Sequence, residues 1–237
     1  MACRMLIAVG VFQVEHLFRE FKLMAMNKNE KHENNENNPD FVHDDGWGVA
    51  LGKSGKLIEL YKKDVACWRD PRFQKYYRVS VDFVIAHARR ATDKNLVDLT
   101  YTHPFERKGW YFCHNGTVIE PKANEKRDSE QFFELLLSNI KAQNDVRESI
   151  KNTVNEIKDY TALNFILANK DFAYILVKHK TKPYYYTMKF SKNNDYIVVS
   201  SERLLHFGGQ WKTINNDSLV EIDIAHRTMA MRTLNVS

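Results

Sequence analysis

The sequence predicts an α+β fold in which β-sheets are layered with helices. Three observations predict it. Short strand-like segments come early, two segments with helical periodicity sit in the middle, and strand-like segments fill most of the chain from Thr161 onward. That order fits sheets covered by helices. No internal repeat and no break in composition divides the 237 residues, so a single domain over 1–237 is expected.

Each element follows from its local pattern. Residues 3–9 form a short apolar run, predicted to be a buried strand. Over 12–26, Val14, Leu17, Phe18, Phe21 and Met24 recur at helical spacing and predict an amphipathic helix. Residues 27–45, NKNEKHENNENNPDFVHDD, are rich in Asn, Glu and Lys and predict a long solvated loop, either a lid or disordered. Segments 46–51 and 57–61 predict a hairpin closed around Lys53, Ser54 and Gly55. A strand is expected over 81–89 and another over 110–114, the second ending in an Asn115-Gly116 turn. Phe132, Phe133, Leu136, Leu137 and Ile140 mark one helix, and Ile150, Val154 and Ile157 a second. LNFILA, FAYILVKH, PYYYTMKF, DYIVVSS, SLVEIDI and HRTMAMRTL are then expected to be strands.

Composition narrows the function classes. The chain is 43% hydrophobic and 27% charged, with 35 basic and 30 acidic residues and a net charge of +5. No long Lys/Arg block and no zinc-finger spacing points to nucleic acid. Cys3, Cys67 and Cys113 show no CxxC spacing, which fits a reduced, cytoplasmic protein. The longest apolar run is 5–12, short of the roughly 20 residues a membrane helix needs and weak as a secretory signal. No membrane partner is expected.

Several short stretches carry chemistry, each with a plain structural alternative. Cys3 starts an apolar strand and by itself reads as buried core. A cysteine at a mature N-terminus, however, has its own α-amine, of pKa about 7.7–8.0, to take the thiol proton. In HNGTV, Asn115 and Gly116 offer a side-chain amide and a close backbone N–H to an oxyanion, or simply a turn. IAHARRAT puts His87 and Arg89 on one strand face and Arg90 on the other. One arginine suits a substrate carboxylate and the other a surface ion pair, with His87 a structural hydrogen-bonding residue. In RDSEQFF, Asp128 with Gln131 fits a helix N-cap, and its carboxylate equally fits a substrate ammonium. DDGWGVA is a turn entering a strand or a backbone wall for a small substrate. His43, Asp44 and Asp45 match no metal-ligand spacing, so no metal and no cofactor is expected.

Taken in order with THPF at 102–105 and SSERL at 200–204, these stretches resemble the class II glutamine amidotransferases, a family of N-terminal-nucleophile hydrolases, in standalone form. The resemblance implies a four-layer αββα sandwich of two mainly antiparallel sheets. It implies that Cys3 attacks the glutamine side-chain amide, that Asn115 and Gly116 form the oxyanion hole, and that Arg89 and Asp128 hold the α-carboxylate and α-ammonium. It also implies that Gly46, Trp47 and Gly48 line the pocket, supported by Thr92 and His103. A glutamyl thioester would then yield glutamate, with ammonia passing to an acceptor, such as a separate synthase subunit, since no room for a fused one is expected. Another γ-glutamyl amide fits the same head-group residues, the leaving group being selected by 27–45 and 62–78. The sequence departs from the family at its start, where Ala2 stands between Met1 and Cys3. Trimming beyond Ala2, or a start other than Met1, is therefore expected ahead of a chain that keeps Cys3 blocked as a glutamine-binding module. Oligomeric state is left open.

Overall fold

The run ACRMLIAVG becomes β1 (Ala2–Gly10), the middle strand of a seven-stranded sheet. A computed structural model describes residues 2–36, 38, 40–92, 97–120 and 127–234. After β1 come α1 (Val14–Ala25), the hairpin of β2 (Trp47–Lys53) and β3 (Lys56–Lys63), and β4 (Phe83–Arg90). Next are β5 (Phe105–Arg107), β6 (Trp110–Glu120), α2 (Asp128–Gln143) and α3 (Val146–Glu156). The remainder comprises β7 (Asp159–Ala168), β8 (Phe172–Val177), α4 (Pro183–Tyr186), β9 (Lys189–Lys192), β10 (Tyr196–Ser200), β11 (Trp211–Thr213), β12 (Ser218–Asp223) and β13 (Thr228–Thr233).

The first sheet has the order β11-β9-β10-β1-β4-β2-β3 and the second β13-β12-β8-β7-β6-β5, with antiparallel pairing throughout. Alternation gives each sheet two apolar faces. Between the sheets lie Met5, Ile7, Val9, Ile85, Cys113, Ile166, Ile175 and Val220. On the outer face of the first sheet, Leu6 and Ala8 pack under Phe18 and Phe21 of α1. On the outer face of the second, Phe112 and Phe165 pack under Phe132, Phe133 and Leu136 of α2 and Ile150 of α3. The result is the αββα sandwich that the family resemblance implies.

Four local expectations are corrected. Asn115-Gly116 is not a turn: β6 runs through it to Glu120, with a break in register after Gly116. Asp128 is the first residue of α2 rather than its cap, which is Arg127. PYYY forms the single helical turn α4, because Pro183 favours a first helical position and offers no N–H to a ladder. Finally, 27–45 is not merely a solvated loop. Its apolar and aromatic minority is enough to anchor it: Phe41 and His32 are buried, and Phe41 clusters with Tyr185, Tyr186 and Ala162.

Candidate active site

Strand register brings the candidate residues together. Cys3 lies opposite Arg89 on β4, and Met5 lies opposite His87. Odd-numbered side chains of β1 enter the space between the sheets, so Cys3 faces β6. There the Cys3 N–H donates to Asn115 Oδ1 at 2.9 Å. Asn115 is fully enclosed, and with its oxygen so used, its Nδ2 is the donor left for a substrate.

Gly116 follows at φ +156°, where a Cβ would stand 1.9 Å from the Ala162 carbonyl oxygen of β7. No side chain fits, and β6 and β7 approach closely at this point. The preceding His114 anchors this segment. Its Nε2 lies 3.3 Å from the same Ala162 oxygen and its Nδ1 2.8 Å from Ser129 Oγ. Burial pushes the His114 imidazole down to about 4, so it is neutral at pH 7.

Arg89 is buried, its guanidinium 5.2 Å from the centre of the Tyr101 ring and its Nη1 3.5 Å from the Asp45 carbonyl. The Arg89 N–H donates to the Gly46 carbonyl at 2.8 Å, and Asp45 Oδ2 accepts from the Ala91 N–H at 2.8 Å. Asp45, weighed in the sequence only as a metal ligand, therefore braces the end of β4. Arg90, on the other face, pairs with no carboxylate among the described residues: it donates to the Val42 carbonyl at 2.9 Å and lies over Phe41. Asp128 sits at the N-terminal end of α2, where Oδ2 accepts from the Val118 N–H at 3.1 Å. This contact ties the start of α2 to β6 just beyond Gly116.

The Trp47 ring lies on the opposite face of its sheet, while Gly46, Gly48 and His103 are bound up in the frame around β4. Trp47 pairs with Ala88, and alternation turns its ring to the outer face, among Phe73, Tyr61 and Tyr76, where Nε1 donates to Asp70 at 3.1 Å. It does not share a face with Cys3. Gly48 is a glycine because the His103 carbonyl crosses it, 2.2 Å from where a Cβ would be, and at Gly46 the Thr102 side-chain oxygen would stand 2.7 Å from a Cβ. GWG and THPF thus explain each other as a close backbone crossing. The buried His103 ring lies tilted against His87, with centres 4.5 Å apart, and stacks on Phe105. His87 Nε2 meets the His114 carbonyl at 3.3 Å, a structural hydrogen bond. Thr92 is exposed just past β4. In the 62–78 stretch, Phe73 and Tyr76 pack with Trp47 and Phe18 on the outer face, away from Cys3.

Burial pushes the Cys3 thiol up to about 11, against the pull of the Arg90 N–H and the Arg89 guanidinium. At pH 7 that leaves about one thiolate in ten thousand, so attack needs a base within reach.

A family model, glutamine amidotransferases class-II, matches residues 32–204. The chain belongs to the class II glutamine amidotransferases. The matched span holds Arg89, Asn115, Gly116 and Asp128, with Cys3 ahead of it. No curated protein matches the sequence. Among solved structures, the chain is similar to the glutamine phosphoribosylpyrophosphate amidotransferase of B. subtilis complexed with ADP and GMP, at TM-score 0.69 and 14% identity over 99% of this chain and 50% of that one. A structure described as the allosteric regulatory enzyme of purine biosynthesis gives TM-score 0.71 and 15% identity, again over 99% and 50%. A glutamine aminotransferase class-II domain protein from Silicibacter pomeroyi gives 0.60 and 15%, over 98% and 99%. The chain spans half the length of the first two, and at these identities the likeness is one of fold. Among its described residues, no helix is long and apolar enough to cross a membrane.

Proposed function

We propose that this chain hydrolyses the side-chain amide of glutamine through a thioester on Cys3, once its N-terminus begins at Cys3. One observation carries the reading: the Cys3 nitrogen lies 2.9 Å from Asn115 Oδ1, in register with Arg89. In the trimmed chain that nitrogen is an amine held in place by the Asn115 oxygen. It takes the thiol proton, and Sγ attacks the amide carbon. The carbonyl oxygen gains charge beside Asn115 Nδ2 and the Gly116 N–H. The C–N bond then breaks, the amine returns its proton to the leaving nitrogen, and ammonia departs. Water, activated by the same amine, attacks the thioester, giving glutamate and regenerating the thiol. Arg89 and Asp128 bind the two ends of the amino-acid zwitterion. The ammonia goes to an acceptor held by another protein or another part of the assembly.

The peptide nitrogen of an untrimmed Cys3 cannot accept a proton, so terminus and activity must move together. Protein confirmed by mass to begin at Cys3 is expected to release glutamate from glutamine, whereas protein beginning at Met1 or Ala2 releases none. The kcat/KM profile should rise with pH through an apparent pKa near 8, that of the amine. Absence of glutamate release from the Cys3-terminal protein would overturn the proposal. A panel of γ-glutamyl amides run beside glutamine reads the leaving-group preference of the same site.

A further inference from the structure

β1 outruns its neighbour at the end that carries Cys3. β10 pairs with it only as far as Ser200, opposite Leu6. Past that point, side chains take over the backbone groups of β1 on this side. Ser201 meets Met5: its N–H donates to the Met5 carbonyl at 2.9 Å, and its Oγ accepts from the Met5 N–H at 3.0 Å. Cys3 lies two residues on and presents its backbone to the same side. Its N–H goes to Asn115 Oδ1, and its carbonyl accepts from the Tyr185 hydroxyl at 3.0 Å.

Tyr185 is fully buried and fixed from several directions. The Arg4 guanidinium lies 3.9 Å from its ring centre, and Arg4 Nη1 donates to its carbonyl at 3.1 Å. Arg4 is in turn paired with Glu202 of the SSERL stretch at 2.7 Å. His43 Nε2 lies 3.1 Å from the Tyr185 hydroxyl. His43 Nδ1 lies 3.3 Å from the Ala25 carbonyl, so the imidazole is held between that carbonyl and the Tyr185 hydroxyl. The Tyr185 N–H donates to Glu33 at 2.8 Å, and the His32 and Phe41 rings stand edge-on to its ring.

We infer that Tyr185 is a positioning residue for the nucleophile, held in place by Arg4 and by the 27–45 segment. The inference rests on the proposed role of Cys3. Trimming to Cys3 removes the Ala2–Arg90 pair from the ladder and leaves the candidate nucleophile at a strand end, where chains fray. The residue then has two backbone anchors on this side, Asn115 at its nitrogen and Tyr185 at its carbonyl. Together they fix its backbone plane, and so the direction of Sγ relative to the amine that must take its proton. No charge or substrate contact is required of Tyr185.

Tyr185→Phe in the Cys3-terminal full chain keeps the ring under Arg4 and removes only the hydroxyl. The expected result is a fall in kcat of about tenfold. KM for glutamine should stay within about twofold, since Arg89 and Asp128 are untouched. An unchanged kcat overturns the inference. If the parent protein does not hydrolyse glutamine, the hydrolase proposal fails on its own account, and positioning is read from alkylation of Cys3 by chloroacetamide. Tyr185→Phe should slow that labelling severalfold, with Cys67 and Cys113 as internal references; equal rates overturn the inference. Should Tyr185→Phe not fold, His43→Phe and His43→Gln report on the same contact, through either kcat or the labelling rate. The first should lower it, the second, which keeps a hydrogen-bonding partner for Tyr185, should recover it, and equal values in both overturn the inference.

Discussion

Gly116 is the residue most constrained by its surroundings. A methyl group there would overlap the Ala162 carbonyl, in a backbone region that side chains rarely adopt. Gly116→Ala should destabilise the fold by ~3 kcal/mol, measured by urea unfolding, because β7 would have to move off β6. Arg4 and Glu202 make a different kind of constraint. Both are buried, and burial pushes the Glu202 carboxyl up while the Arg4 guanidinium pulls it down. Removing one partner strands a charge in the interior, so Arg4→Met should cost about 3–5 kcal/mol. Arg4→Met combined with Glu202→Leu should recover much of that loss in the same assay, since no buried charge remains. Trp47 offers a test of its outward placement. Trp47→Phe removes the donor to Asp70 and should lower the melting temperature while leaving KM for glutamine unchanged. A raised KM with unchanged stability would return Trp47 to the substrate pocket.

Among the elements, 27–45 departs most from its sequence. Its composition is that of a solvated loop, yet Phe41 packs beneath the Arg90 guanidinium and against Tyr185. Asn29 and Glu30 fasten its start to Arg203 and Lys189. Composition averages over the segment and hides the minority of residues that anchor it. Phe41→Ala should cost about 3 kcal/mol. It should also raise hydrogen exchange at Tyr185 and its neighbours in α4, the elements it covers. The turn α4 was illegible as a helix because Tyr-rich segments have strand propensity, and tertiary contacts with Glu33 and Arg4 overrode it. In contrast, β1, α1, the β2–β3 hairpin, β4, α2 and α3 follow the apolar periodicities, since each buries one face against a layer.

At the scale of the whole molecule, five histidines sit in the interior: His32, His43, His87, His103 and His114. Burial pushes His114 down to about 4, His32 and His87 to about 3, and His43 and His103 well below the usual imidazole range. Above pH about 6.5 neither the folded nor the unfolded chain carries these protons. Below it, the unfolded chain takes them up and the folded chain does not, so stability falls as pH falls. Each such histidine contributes ~1.4 kcal/mol per pH unit between about 6.5 and its folded value. Urea midpoints should therefore drop steeply from pH 7 to pH 5, and a flat profile would show that the histidines protonate in place. The layered α+β class, most of the strands and helices, and the residue types suited to amide hydrolysis were all present in the sequence. Periodicity and side-chain chemistry are local properties, and a linear reading recovers them. Which face each strand residue takes, and what completes the exposed end of β1, belongs to the tertiary structure. Those outcomes depend on contacts such as Cys3 to Asn115, 112 residues apart, and Cys3 to Tyr185, 182 apart. No local pattern encodes them, because each exists only after two sheets have packed and their registers have been set.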